Sequence, residues 1–240
     1  MNVFSDYVLY FIIYSFLGWL LESIYASINE RKFINRGFLT GFICPIYGYS
    51  AILIIQTSTW INSTFENYLV ALIFNILFSM IFVTLLEFVT GLALEKIFKC
   101  KWWDYSKNAF NLKGYICLKT SLLWGVLAFI LIQVVHPFIS KLVYPMPAST
   151  KDYIAAVMLL YLLADTVRSI YMALNLRNAI FNYSNYPDNK YYEIIMRNKK
   201  LFFAFPHLLI LNAGVINRDV RRILDGRFKK IKEGLKSRLH

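Results

Sequence analysis

The sequence predicts an all-α integral membrane protein with five transmembrane helices, and three observations carry that prediction. Of its 240 residues 58% are hydrophobic and only 17% charged, a balance that suits a multi-pass membrane protein rather than a soluble domain. The apolar runs reach about 20 residues or more, enough to cross a hydrocarbon core of about 30 Å. Basic residues are also shared unevenly among the loops, which sets an orientation.

The first span covers about 6–28. It lacks a basic leading segment and a small-residue cleavage site, so it reads as a retained span rather than a signal peptide. The second covers about 38–58, the third 68–94, the fourth 115–139 and the fifth 153–175. Many Trp and Tyr lie near the ends of these runs, where interfacial anchoring is favourable. Segment 29–37 carries Arg31, Lys32 and Arg36, and segment 95–119 carries Lys96, Lys99, Lys101, Lys107, Lys113 and Lys119. By contrast, 59–67 has no Lys or Arg, and 140–152 has only Lys141 and Lys151. The positive-inside rule therefore predicts an outside N-terminus and a cytosolic C-terminus.

The same distribution explains the net charge of +12. Basic loops beside spans face an anionic inner leaflet, so membrane lipids are the expected partner and nucleic acid is not. Cys44, Cys100 and Cys117 have no metal-site spacing and are assigned no chemistry.

Residues 1–176 thus make a transmembrane domain and 177–240 a basic cytosolic or interfacial tail. Within the tail, 201–216 is apolar but holds Pro206, His207 and Asn212, and it is short for a span. An interfacial segment, a re-entrant segment and a sixth crossing are the alternatives. Farther on, Val220, Ile223, Leu224, Phe228, Ile231, Leu235 and Leu239 recur at helical spacing among Arg and Lys, which predicts a basic amphipathic helix.

Charges inside the spans are the functional clue. Glu22 follows Leu20-Leu21 and precedes Glu30-Arg31 and Phe33; Glu87 follows Leu85-Leu86 and precedes Glu95-Lys96 and Phe98. A carboxylate at the centre of a span costs about 2.5–3.5 kcal/mol on insertion scales, so it is rarely kept without a partner or a purpose. Gly37, Ile43-Cys44 and Gly48 after the first copy correspond to Gly114, Ile116-Cys117 and Gly125 after the second. Two parallel two-helix repeats, with a site at their interface, are one reading; chance similarity between Leu-rich spans is the other. Ser15, Gly18, Trp19, Glu22, Tyr25 and Ala26 share one face, as do Thr84, Glu87, Thr90 and Gly91, and small residues there predict faces turned into the bundle.

Asp165 and Arg168 lie three apart on the fifth span. They form a local pair, or Arg168 snorkels to the interface, or Arg168 reaches Glu22 or Glu87 across the bundle. Three acids against one guanidinium leave an excess that burial disfavours, so at least one acid should be protonated or hold a cation. Trp19, Tyr25, Glu22, Glu87, Asp165 and Arg168 are the candidate pathway residues.

In the second basic loop, Trp102-Trp103-Asp104-Tyr105 and Asn111 predict a structured segment with its Trp rings anchored at headgroup level. Arg36, Trp103, Asp104 and Asn111 would line a cytosolic mouth or a docking surface. No glycine-rich phosphate loop, HExxH or GxSxG motif occurs, so no catalytic residue, metal or cofactor is assigned. The lone His136 and His207, each beside a proline, read as structural.

Several ordered motifs carry a resemblance over roughly residues 7–210. They are Tyr14-Ser-Phe-Leu-Gly-Trp19 with Glu22, Asn35-Arg36-Gly37-Phe38-Leu39, Cys44-Pro45-Ile46-Tyr47-Gly48, Trp102-Trp103-Asp104-Tyr105-Ser106, Phe110-Asn111-Leu112, Gly114, Ile116-Cys117-Leu118, Trp124-Gly125 and His136-Pro137. Together they resemble the CmpB-like, type IV family of ABC-transporter permeases. The resemblance implies a bacterial plasma-membrane protein that moves a small solute with a separate ATPase, since the chain has no Walker A motif. It transfers no substrate and no site residue. A membrane-embedded enzyme acting on lipid headgroups near the cytosolic face, a sensor or scaffold, and a homo-oligomeric assembly stay open beside it.

Overall fold

The computed structural model describes residues 3–181, 197–205 and 208–210. Among them the regular elements are helices apart from one short strand pair: α1 (Val3–Glu30), α2 (Pro45–Thr64), α3 (Tyr68–Phe98), β1 (Cys100–Lys101), α4 (Leu118–Ile130), a π-turn (Leu131–Val135), α5 (His136–Val143), α6 (Ala148–Phe181), α7 (Lys199–Ala204) and β2 (Leu209–Ile210). Among the described residues four segments are long and apolar enough to cross a membrane: Val3–Glu30, Tyr68–Phe98, Leu118–Val143 and Ala148–Asn178. The chain is therefore a multi-pass membrane protein. Of the apolar segment 201–216, the described part holds the end of α7 and β2; residues 206–207 and 211–216, which would decide between an interfacial segment, a re-entrant segment and a sixth crossing, lie outside the described residues, as does the predicted amphipathic helix from Val220.

The second helix differs most from expectation. It starts at Pro45 rather than near 38, and it is not among the four long apolar segments. Proline suits a first helical turn and disfavours helix in the residue before it, and Cys44 is extended at φ −114. Upstream, residues 31–44 fold back as a loop beside α1. Backbone N–H groups of Ile34 and Arg36 donate to Ser27 Oγ and Ser23 Oγ at 2.9 and 3.1 Å, and Cys44 N donates to Ser15 O at 3.0 Å.

α3 shows how the sequence places a helix between lipid and bundle. Asn67 caps it, accepting from Leu69 N at 2.9 Å and Val70 N at 3.2 Å. Ala71, Asn75, Ser79, Val83, Glu87 and Gly91 recur every fourth residue and are all buried. Leu77, Ile81, Leu85 and Val89 form the opposite, exposed stripe. Small and polar residues face the protein and bulky apolar ones face outward, as packing in lipid requires.

The fourth span contains the π-turn just before Pro137, whose ring removes a backbone donor and disturbs regular α geometry. His136 then meets α1: Tyr14 Oη and His136 Nδ1 are 2.8 Å apart, and the Tyr10 ring lies edge-on at 5.2 Å. At the far end of the bundle Lys151 pairs with Asp6 at 2.7 Å, tying α6 to the start of α1.

The loops 31–44 and 99–117 gather with α7 at the other end, called here the loop end. Its core holds Phe98, Cys100, Trp102, Ala173, Leu176, Leu201 and Leu208. Trp102 is 4% exposed, and its ring meets Phe38, Phe98 and Phe205 with centroids 5.0–5.8 Å away. The expectation of headgroup anchoring thus fails for Trp102, which is a core residue. β1 pairs with β2 in antiparallel register, Cys100 opposite Ile210. The three cysteines are buried free thiols.

Candidate functional site

Glu22 sits about two turns before the loop end of α1, and two groups meet its carboxylate. Tyr47 Oη donates to Oε1 at 2.6 Å, and Arg36 Nε lies 3.4 Å from Oε2. Tyr47 reaches it because Gly18 leaves room. A Cβ on Gly18 would lie 2.1 Å from the Tyr47 ring.

Glu87 lies about three turns before the loop end of α3 and is 5% exposed. Trp124 Nε1 donates to Oε2 at 2.9 Å, and Tyr105 Oη donates to Oε1 at 3.3 Å. Among the described residues no ion pair reaches this carboxylate. Two neutral donors therefore satisfy it, while Glu22 keeps a guanidinium. Tyr47 and Trp124 stand ring to ring at 5.3 Å, so the two carboxylates share one wall of aromatic side chains. Tyr105, outside the spans, senses both. Its phenol is pushed far above its ordinary range by burial first, then by Glu87 and Glu22. A network of this kind, in a low-dielectric surrounding, holds its members in fixed geometry.

The two loops are built to deliver these groups. Gly37 and Gly114 have φ of +93° and +75°, a region L side chains rarely adopt. A Cβ on Gly114 would lie 2.3 Å from Asp104 Oδ1. Asp104 accepts from Ser106 N at 3.2 Å and from Ser106 Oγ, and it pairs with Lys101 at 3.4 Å. Burial alone would raise its pKa, but the Ser106 and Lys101 contacts outweigh it and hold the carboxyl below its usual value. Asn111 closes the same loop, donating to Ser106 O and Asn108 O at 3.1 and 2.9 Å. Trp103 Nε1 donates to Tyr115 O at 2.8 Å. Asp104, Asn111 and Trp103 shape the loop that carries Tyr105 rather than touching either glutamate.

Asp165 is buried but turns elsewhere. It accepts from Gly41 N at 2.9 Å and from Thr40 Oγ1, while Ser169 Oγ accepts from Thr40 N at 2.9 Å. Its task is to clamp the 37–44 loop onto α6, which also accounts for the late start of α2. Arg168 is exposed on α6, and the cation beside Glu22 is Arg36 instead. Trp19 is buried and donates to Asn35 Oδ1 at 2.9 Å, steadying the residue beside Arg36. Tyr25 is 66% exposed and lies away from the site.

Arg36 also donates to Ala204 O of the tail, and the tail's Lys200 Nζ donates to Leu39 O. Burial lowers Lys200 to about 8, against the opposing pull of Asp165 and Cys44. α7 is thereby linked to the Glu22 pair through one side chain.

The residues missed from sequence are Tyr47, Tyr105 and Trp124. Tyr47 and Trp124 each stand immediately before a glycine, Gly48 and Gly125, and that shared pattern was the available signal. Among the described residues no group of three or more His, Cys, Asp or Glu could hold a metal ion.

In sequence comparison, residues 9–170 match the profile of the family described as "Putative ABC-transporter type IV". No curated protein and no solved structure matches the chain.

Proposed function

The chain belongs to the type IV ABC-transporter family, and on that footing we propose that it is the membrane subunit of a small-solute transporter driven by a separate ATPase. The observation that carries this reading is the pair of carboxylates at the loop end. Each is held by donors from the neighbouring helix and loop, and one is tied through Arg36 to the tail. Glu22 and Glu87 then line the solute path, with Tyr47 and Trp124 as its wall.

In this arrangement α2 supplies the fifth crossing, the N-terminus is outside, and the loop end is cytosolic in a bacterial plasma membrane. α1–α2 and α3–α4 act as two parallel repeats. Three correspondences support that: the glutamates, the aromatic-glycine pairs Tyr47-Gly48 and Trp124-Gly125, and the positive-φ glycines Gly37 and Gly114. Residues 1–176 form the membrane domain, and the basic tail from 177 meets anionic lipids and the ATPase. Asp104, Asn111 and Arg36 hold the loops that receive that partner. A second copy of the chain would complete a two-fold transporter.

The test is purification of the chain from cells producing it with candidate ATPases, followed by uptake into vesicles. A stoichiometric ATPase and ATP-dependent solute uptake are expected. Absence of both would overturn the ATP-driven reading.

A further inference from the structure

The buried stripe of α3 does not become apolar beyond Glu87. One turn farther from the loop end lies Val83, 0% exposed, and beyond it come Ser79 and Asn75, 1% and 2% exposed. Asn75 Nδ2 donates to Asn62 Oδ1 at 3.1 Å, and Asn62 Nδ2 donates to Ser58 Oγ at 3.3 Å, so α2 completes a polar cluster. Asn75 Oδ1 and Ser79 Oγ are buried, with no hydrogen-bond partner among the described residues. A buried polar atom left unmatched is costly, and lipid offers no remedy. The cluster contains no charge. The unmatched Asn75 Oδ1 accepts and the Ser79 hydroxyl both donates and accepts, which suits a small neutral molecule that can do both, and water has that chemistry.

Between this cluster and Glu87 stands an apolar layer. Val83 packs with Ile54, Ala128 and the Trp124 ring, with Tyr47, Leu127 and Leu131 around them. Hydrophobic constrictions of this kind close a path by excluding water.

We propose that Asn75, Ser79, Asn62 and Ser58 form a water-binding chamber in the far half of the bundle. Ile54, Val83 and Ala128 are the dry gate separating it from Glu87. When the gate is wetted, a proton entering from the far side is passed along water and comes to rest on a Glu87 carboxylate oxygen. When it is dry, the acid exchanges protons with the loop end alone. This rests on the reading of Glu87 as the inner acid of the path, but it requires neither the ATPase nor the solute.

The experiment uses the full chain in liposomes with an entrapped pH-sensitive dye and an imposed pH gradient. Val83→Thr keeps the side chain's shape while placing a hydroxyl in the gate. Its proton leak is expected to rise at least about tenfold over the unaltered protein, the size of effect that removal of about 1.4 kcal/mol from a barrier gives. Adding Asn75→Leu or Glu87→Gln to Val83→Thr should restore tightness, and Val83→Leu should remain tight. A Val83→Thr protein as tight as the parent overturns the gate. Equal leaks from Val83→Leu and Val83→Thr overturn it too, because damaged packing would then be the cause. A Val83→Thr leak that Asn75→Leu leaves unchanged overturns the chamber. Loss of uptake in Glu87→Gln with a tight Val83→Thr would contradict only the gate, whereas a leaking Val83→Thr with normal uptake in Glu87→Gln would contradict only the transport reading.

Discussion

Tyr47 and Trp124 meet ring to ring at 5.3 Å, and each donates its polar hydrogen to a different intramembrane carboxylate. The contact joins α2 to α4 and places Glu22 and Glu87 on two sides of one aromatic wall. Tyr and Trp serve this purpose because each offers a large apolar ring with one hydrogen-bonding edge.

Replacing Tyr47 by Phe keeps the ring and removes the donor at 2.6 Å from Glu22. A hydrogen bond to a charged group contributes about 1.5–3 kcal/mol, so Tyr47→Phe should lower the thermal unfolding midpoint in detergent. Trp124→Phe should do the same through Glu87. Unchanged midpoints in both would mean the rings fill space and the donors contribute nothing.

Gly18→Ala should displace Tyr47, because the added methyl carbon would lie 2.1 Å from its ring. Overpacking at a closed helix contact costs about 1–3 kcal/mol. The loss should be smaller when Gly18→Ala is combined with Tyr47→Ala, which vacates the space. Additive losses would argue that the two do not touch.

Arg36 and Glu22 form a half-buried pair at 3.4 Å, so their removal should be coupled. A cycle of Glu22→Gln, Arg36→Gln and the double variant should give an interaction energy of about 0.5–3 kcal/mol in chemical unfolding. Arg168→Gln, on the exposed face of α6, should fall within about 0.5 kcal/mol of the parent. The reverse ranking would restore Arg168 as the cation of the site.

Lys200 gives a pH signature. The folded protein releases this proton near 8, while the unfolded chain holds it up to the ordinary lysine value of 10.5. The unfolded state therefore binds more protons between those values, and stability should rise with pH from about 8 toward 10.5 while staying flat below. Lys200→Met should remove that rise from the difference between the two stability curves. Parallel curves would show that α7 does not bury the amine.

The membrane class was legible because long apolar runs have few alternative explanations. Glu22 and Glu87 were legible for a related reason, since charge in such a run stands out. Their partners were not. Tyr and Trp in or beside a span resemble interfacial anchors, and only the fold aims Tyr47, Tyr105 and Trp124 at carboxylates. Arg168 looked like the counterion because it shares a span with Asp165. Asp165 is instead consumed by Thr40 and Gly41, and Arg36 arrives from a loop whose path depends on that clamp. Residues 38–44 read as span because they are apolar, whereas Pro45 and the positive-φ Gly37 break the helix there. The Asn75–Ser79–Val83–Glu87 stripe was present in the sequence as a strict four-residue spacing, but Asn75 and Ser79 carry no charge to draw notice.

If Glu22 and Glu87 line one solute path, differential uptake will show it. Cells producing equal amounts of the parent, Glu22→Gln, Glu87→Gln or Leu77→Ala would be offered a mixture of labelled small solutes and their contents compared. At least one solute should accumulate about tenfold less, or lower still, in both glutamate variants and be unchanged in Leu77→Ala, whose side chain faces outward. Accumulation of every solute at the parental level in Glu22→Gln and Glu87→Gln, with both proteins folded, would contradict it.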